Sequence, residues 1–269
     1  MDWLLLLQSL IMGIVEGLTE FLPISSTGHL IIVGNVINFP EDIAATFEIF
    51  IQLGAILAVV VYFARDLIDL LKRAPHDRNA QRLLLGVAIA FVPAAAVGLL
   101  LNKLIKQHLF SPFTVGIAMV LGAFAILIIE GLKLKPRTTS LEQVSLPQSL
   151  GVGIAQIAAL FPGMSRSAST ILGGMLVGFD RVTALRFSFY LSIPTIAIAS
   201  IYELLDNLSS IGSGELPAFL VGLVTSFVVA LMVIKWFLKY VAQHTLKPFA
   251  WYRLAVGVLM MALYFPRPA

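Results

Sequence analysis

Ten apolar segments separated by short polar breaks constrain this chain more than any other feature. They lie at about 3–20, 26–37, 43–64, 83–101, 113–132, 149–162, 169–179, 187–202, 217–238 and 249–265. A run of about 20 apolar residues crosses the hydrocarbon core of a bilayer as a helix, and six of the ten are long enough to do so. Charged residues make up 12% of the 269, against about 25% in an ordinary soluble domain, so they cannot coat a water-exposed surface. The expected fold is therefore an all-α polytopic membrane protein, one integral domain over 1–269. The absence of cysteine excludes a disulfide scaffold. A pI near 9.2 is better explained by basic cytoplasmic loops than by a nucleic-acid partner. Asp2 precedes the first apolar run with no basic stretch before it, so no signal peptide is expected.

The segments at 26–37 and 169–179 are too short to span. Each follows a polar break that contains proline: Leu22-Pro23-Ile24-Ser25-Ser26-Thr27 and Phe161-Pro162-Gly163-Met164-Ser165-Arg166. Irregular backbone at membrane depth is tolerated only inside protein or beside a water-filled cavity. This favours a re-entrant helical hairpin in each place; the competing reading is an ordinary pair of spanning helices with a tight polar turn. Two polar linkers, Arg65 to Arg82 and Lys133 to Pro147, divide the remaining segments.

The chain also repeats itself. At an offset of 140, Gln8-Ser9-Leu10 matches Gln148-Ser149-Leu150, and Gly13, Phe21, Ser25, Gly34, Phe39 and Phe47 match Gly153, Phe161, Ser165, Gly174, Phe179 and Phe187. At an offset of 136, Phe91-Val92, Gln107-His108 and Pro112-Phe113 match Phe227-Val228, Gln243-His244 and Pro248-Phe249. Two five-segment units follow, 1–135 and 141–269, each a re-entrant hairpin plus three transmembrane helices. Three crossings per unit invert the second copy. Charge agrees: Arg65–Arg82 holds five basic residues, whereas its counterpart Glu203–Pro217 holds none. By the positive-inside rule, Arg65, Lys72, Arg73, Arg78, Arg82, Lys133, Lys135, Arg137, Arg181, Arg186, Lys235, Lys239, Lys247 and Arg253 lie inside. Lys103, Lys106 and Arg267 lie outside with both termini, and Arg166 stays within the membrane.

Ionisable residues within a membrane are costly and usually functional. In the first break, Glu16 and Glu20 share a helix face, and Ser25, Ser26 and Thr27 open the next helix, where hydroxyls cap and free N–H groups bind anions. His29 lies one turn on. The second break supplies Ser165, Arg166, Ser167 and Thr170. Two helix N-termini, hydroxyls and a guanidinium make a phosphate site. Glu16 and Glu20 then suit either acid–base work or a divalent cation, Mg²⁺ or Ca²⁺. Ser26 and His29 are candidate nucleophiles. Singly, such serines are more often caps, a buried histidine is more often structural, and the two glutamates can simply neutralise Arg166. Gln156, at the repeat position of Glu16, reaches either a headgroup or a neighbouring helix. Glu48 faces water or the site. Glu130 reads as interfacial, and Trp3, Trp236 and Trp251 as membrane-interface anchors.

The stretch from Glu16 to His29 and the stretch from Pro162 to Ser167 resemble the two signatures of the undecaprenyl-diphosphate phosphatase family of the bacitracin-resistance type. The likeness extends over essentially the whole chain. It departs at Ala168-Ser169-Thr170, where the family more commonly has Gly-Ala-Thr. The resemblance implies a multi-pass enzyme of the bacterial inner membrane that converts undecaprenyl diphosphate to undecaprenyl phosphate and inorganic phosphate. That reaction recycles the lipid carrier of peptidoglycan synthesis and confers bacitracin resistance. It also implies a site facing the periplasm. Glu20, Ser26, His29 and Arg166 would be catalytic. Glu16, Ser25, Ser165 and Thr170 would bind substrate; the breaks themselves add Thr27 and Ser167 to that set, and the repeat adds Gln156. The expected partners are undecaprenyl diphosphate, membrane lipid and a second copy of the chain in a homodimer. Attack by Ser26, by His29 or by activated water are the alternatives. Transporters are also built from inverted repeats with broken helices, so the rival function is a flippase for a polyprenyl phosphate lipid.

Overall fold

The computed structural model describes residues 2–132, 134–207 and 214–265, with nothing said of the side chains of Asn102 and Lys106. Lys133 and Arg267, assigned above to the inner and outer faces, lie outside the described residues, as does the Lys106 side chain. The described residues form eleven α-helices: α1 (Trp3–Thr19), α2 (Ser26–Val36), α3 (Glu41–Tyr62), α4 (Ala64–Arg73), α5 (Arg78–His108), α6 (Pro112–Gly131), α7 (Leu146–Gln156), α8 (Arg166–Leu176), α9 (Arg181–Asn207), α10 (Leu216–Gln243) and α11 (Lys247–Leu263). A 3₁₀ turn, Ile157–Leu160, prolongs α7. No strand occurs among them, only an isolated bridge between Thr138 and Phe179.

Local chemistry sets the helix starts. Asp2 accepts from the Leu4 and Leu5 N–H groups to cap α1, and Ser111 with Pro112 opens α6. Ser145 and Gln148 form a reciprocal capping box at α7, satisfying amides that a helix start otherwise leaves unpaired. Five helices, α3, α5, α6, α9 and α10, are long and apolar enough to cross a membrane. The sixth expected span, α11, is 17 residues long. The Arg65–Arg82 linker is not a plain loop: its first part is α4, which buries Leu70 and turns Arg65, Asp69 and Lys72 outward.

The two halves interlock. α1 packs on α10, α7 on α5, α3 on α9 and α10, and α6 on α11, and one large apolar cluster runs from Phe21 through Ile56 and Phe189 to Phe237. Close packing without a hydrophobic driving force needs small residues. Gly13 lets α1 approach α10, where a Cβ would lie 2.5 Å from the Gly222 carbonyl; Gly153 does the same for α7, 2.5 Å from the Ala90 carbonyl. Residues 140 apart also share hydrogen bonds. Gln8 donates to the Ile37 carbonyl (2.8 Å) and Gln148 to the Val177 carbonyl (3.0 Å), so α1 closes on α2 as α7 closes on α8.

Candidate active site

The polar site forms where the breaks after α1 and after the 3₁₀ turn meet. Ser25 caps α2 and Ser165 caps α8, and both adopt φ of 72°, a conformation that non-glycine residues rarely hold. Each side chain accepts from an amide three residues on, Gly28 N–H at 3.4 Å and Ala168 N–H at 3.2 Å. Such backbone strain persists only where the surroundings over-determine it.

Glu20 is the hub. Its Oε1 accepts from Arg166 Nη2 at 2.8 Å, and its Oε2 accepts from the Ser26 hydroxyl at 2.7 Å. A carboxylate from the first break thus joins a nucleophile-type hydroxyl to a cation from the second, 146 residues away. The ion-pair reading of Arg166 holds for Glu20. It does not extend to Glu16, whose two carboxylate oxygens have no hydrogen-bond partner although the residue is 0% exposed. Glu16 lies one turn before Glu20 on α1, and the charges of Glu20, Glu48 and Arg166 all bear on it. Leaving a carboxylate buried without a partner is costly.

Arg166 is braced from three sides. Its guanidinium carbon lies 5.6 Å from the centre of the Phe21 ring, and Nη1 donates to the Ser188 hydroxyl at 3.4 Å. Thr170 stands 2.6 Å from that same hydroxyl and back-bonds to the Arg166 carbonyl at 2.9 Å. Ser188, on α9, carried no sequence signal. Ser167 donates to the Leu22 carbonyl at 2.7 Å and sits 3.0 Å from Ser165, tying the breaks together. Ser169, at the departure from the family pattern, bonds back to the Ser165 carbonyl at 2.9 Å. Thr27 is half-buried in the first turn of α2. Gln156 turns toward a neighbouring helix, accepting from Thr195 of α9 at 3.4 Å, with its Nε2 unpaired.

His29 diverges from Ser26. Its Nδ1 meets the Ser25 carbonyl at 2.7 Å and its Nε2 meets the Tyr252 hydroxyl at 2.8 Å. A carbonyl only accepts, so Nδ1 carries the proton, and in the neutral ring Nε2 accepts from tyrosine. The two rings stack with centroids 5.5 Å apart. Tyr252→Phe keeps the stack and deletes the hydroxyl. Its expected cost is about 1 kcal/mol of stability, read as a lower thermal midpoint of the detergent-solubilised protein.

Two sequence readings are corrected here. Glu130, near the end of α6, does not turn to water: its side chain is fully buried, paired with Arg181 at 2.5 Å and accepting from the Leu246 amide at 2.9 Å. Arg253, counted above with the inner-face cations, is 0% exposed in the core and donates to carbonyls of both breaks. In sequence it was one cation among several near the ends of apolar segments. Nothing about its neighbours marked it as interior.

The arrangement can bind an anion between two helix N-termini and Arg166, and can draw a proton from Ser26 onto Glu20. The profile of the family described as bacitracin resistance protein BacA matches residues 9–259. An undecaprenyl-diphosphatase of Thermoanaerobacter sp. (strain X514) is 53% identical over 260 residues, 96% of this chain and 97% of that protein. One from Methylobacillus flagellatus is 47% identical over 270 residues, covering 98% and 100%. One from Burkholderia mallei is 46% identical over 265, covering 97% and 96%.

Proposed function

Because the chain belongs to the bacitracin resistance protein BacA family, we infer that it hydrolyses undecaprenyl diphosphate to undecaprenyl phosphate and inorganic phosphate in the bacterial inner membrane. This regenerates the lipid carrier of peptidoglycan synthesis and supports bacitracin resistance. The observation that carries the chemistry is the Glu20 carboxylate held between the Ser26 hydroxyl and the Arg166 guanidinium.

The terminal phosphate takes the guanidinium and the N-terminal amides of α2 and α8, which stabilise the charge of the transferring group. Once Arg166 engages phosphate, Glu20 is free to accept the Ser26 proton. Ser26 Oγ attacks the terminal phosphorus, the bond to the bridging oxygen breaks, and undecaprenyl phosphate leaves with the bridging oxygen. Water then attacks the phosphoserine, releasing inorganic phosphate and returning the proton to Ser26. His29, engaged by Ser25 and Tyr252, holds the first turn of α2 in place. An apolar cavity of about 370 Å³ abuts the second break at Phe161 and is lined by Val97, Leu101, Leu104 and Leu160. It supports a lateral path for the polyprenyl tail.

A divalent cation fits the same residues. The donors are all oxygen, as Mg²⁺ and Ca²⁺ prefer, and Glu16 presents two unpartnered carboxylate oxygens. Among the described residues no three acidic or histidine side chains form a cation cage, and both Glu20 oxygens are engaged by Arg166 and Ser26, so Glu16 would hold the ion together with substrate phosphate oxygens. Bound there, it would supply Lewis-acid charge stabilisation.

The topology belongs to the same reading: two inverted units with re-entrant hairpins α1–α2 and α7–α8, both termini outside, and the site open to the outer face. Supporting it, Arg73 pairs with Glu142 and Arg186 with Asp66. These pairs gather loops of both halves, rich in positive charge, at one end of the molecule.

The test is phosphate release from purified protein in detergent, where no two compartments exist. Turnover of undecaprenyl diphosphate is expected. A flippase for the same lipid would release none, and that result would sink the enzymatic reading.

A further inference from the structure

We propose that Arg253 is the positioning residue of this site, holding the two breaks at one separation so that Ser26 and Glu20 meet Arg166. The inference rests on the functional reading above and adds a residue from α11 to it.

The guanidinium is spent entirely on backbone carbonyls. Nη1 donates to Pro23 at 3.2 Å and Met164 at 3.0 Å, and Nη2 to Gly163 at 2.9 Å, Met164 at 3.0 Å and Ala118 at 3.3 Å. Nε donates to Met119 at 3.2 Å. Pro23 belongs to the first break, Gly163 and Met164 to the second, and Ala118 and Met119 to α6. Among the described residues no carboxylate pairs with it. An unneutralised cation in an apolar interior is expensive, and a core that needed only volume there would use leucine or methionine. Arginine instead presents five donors in one rigid plane, which is what carbonyls converging from three segments require. α6 is shaped around it: a Cβ at Gly122 would collide with the guanidinium.

The pinned carbonyls sit where the site needs rigidity. Met164 immediately precedes Ser165, and Pro23 precedes Ser25 by two residues. Those two serines hold the left-handed backbone that starts α8 and α2. Fixing the carbonyls behind them over-determines that strain and sets where the helix N-termini and Arg166 point. The clamp touches neither phosphate nor a reacting atom. Its loss therefore acts on alignment, and a misplacement of about 1 Å can cost about 100-fold in rate.

The experiment measures kcat and KM for phosphate release from undecaprenyl diphosphate by wild-type, Arg253→Lys, Arg253→Ala and Gly122→Ala protein in detergent, with monodispersity and thermal midpoint as the folding readout. Lysine keeps the charge but not the fork. Arg253→Lys is expected to lose about 100-fold in kcat with KM within roughly three-fold, the split that marks lost transition-state alignment. Free guanidinium at sub-denaturing concentration should restore Arg253→Ala by at least about ten-fold, while ammonium and urea do not, since only the planar fork spans the carbonyls. Where Arg253→Ala fails to fold, Gly122→Ala, which displaces the guanidinium without deleting it, carries the same kcat expectation. Wild-type kcat in Arg253→Lys, or losses matched by equal losses of folded protein, overturns the positioning role. An inactive wild-type protein overturns the functional reading instead.

Discussion

Arg166→Ala is expected to release phosphate from undecaprenyl diphosphate at least about 1,000-fold more slowly than the wild-type chain, the scale set by arginines that stabilise transferring phosphoryl groups. The effect has two parts that a second substitution separates. Removing the guanidinium deletes the cation that meets the terminal phosphate. It also strands the Glu20 carboxylate, whose Oε1 accepts from Arg166 at 2.8 Å in a site where both side chains are nearly buried. Breaking one side of a buried pair costs about 3–5 kcal/mol, so Arg166→Ala alone is expected to melt earlier. Adding Glu20→Gln removes the stranded charge. The double variant should recover most of the thermal midpoint and none of the activity. Recovery of turnover with stability would mean that the pair is only a neutralised structural contact, and Arg166 would lose its place in the chemistry.

The second large effect is at Ser26. Ser26→Ala should lower kcat by at least about 1,000-fold while leaving the residual rate that positioning and electrostatics alone supply. Its hydroxyl donates to Glu20 Oε2 at 2.7 Å, so its oxygen lone pairs remain available to phosphorus. Acid quenching of the wild-type enzyme during turnover should trap an acid-stable phosphoester on Ser26. An acid-labile phosphoryl group on His29 would transfer the nucleophile to the imidazole. Turnover by Ser26→Ala within about ten-fold of wild type would point to direct attack by water, with Glu20 as its base. Ser25 and not Ser26 caps α2, so the helix start is kept; the loss of the partner of the buried Glu20 Oε2 is expected to lower the thermal midpoint by the equivalent of about 1–3 kcal/mol.

Much of this was legible in the chain. Apolar run length announces membrane helices because the bilayer imposes a fixed span. The two breaks were readable as helix starts, at Ser25, Ser26 and Thr27 and again around Ser165, because capping is a local exchange between one side chain and amides two or three residues on. What the chain could not display was partnership at long range. That Glu20 chooses Ser26 and Arg166, while His29 chooses Tyr252, depends on where α1, α8 and α11 come together. Glu130 and Arg253 misled because each stands near the end of an apolar run, where a charge ordinarily reaches for water. Both are instead held inside by groups more than 50 residues away.

The sequence by itself determined the solvent, the helical kind of the elements, the two breaks and the residue types gathered there. All of these follow from interactions within one or two helical turns and from the thickness of a membrane. The tertiary structure alone decided which hydroxyl meets which carboxylate, left Glu16 without a partner, and drew Arg253 behind both loops. Those outcomes depend on distances between segments up to 230 residues apart, which only the packing of the interlocked halves sets.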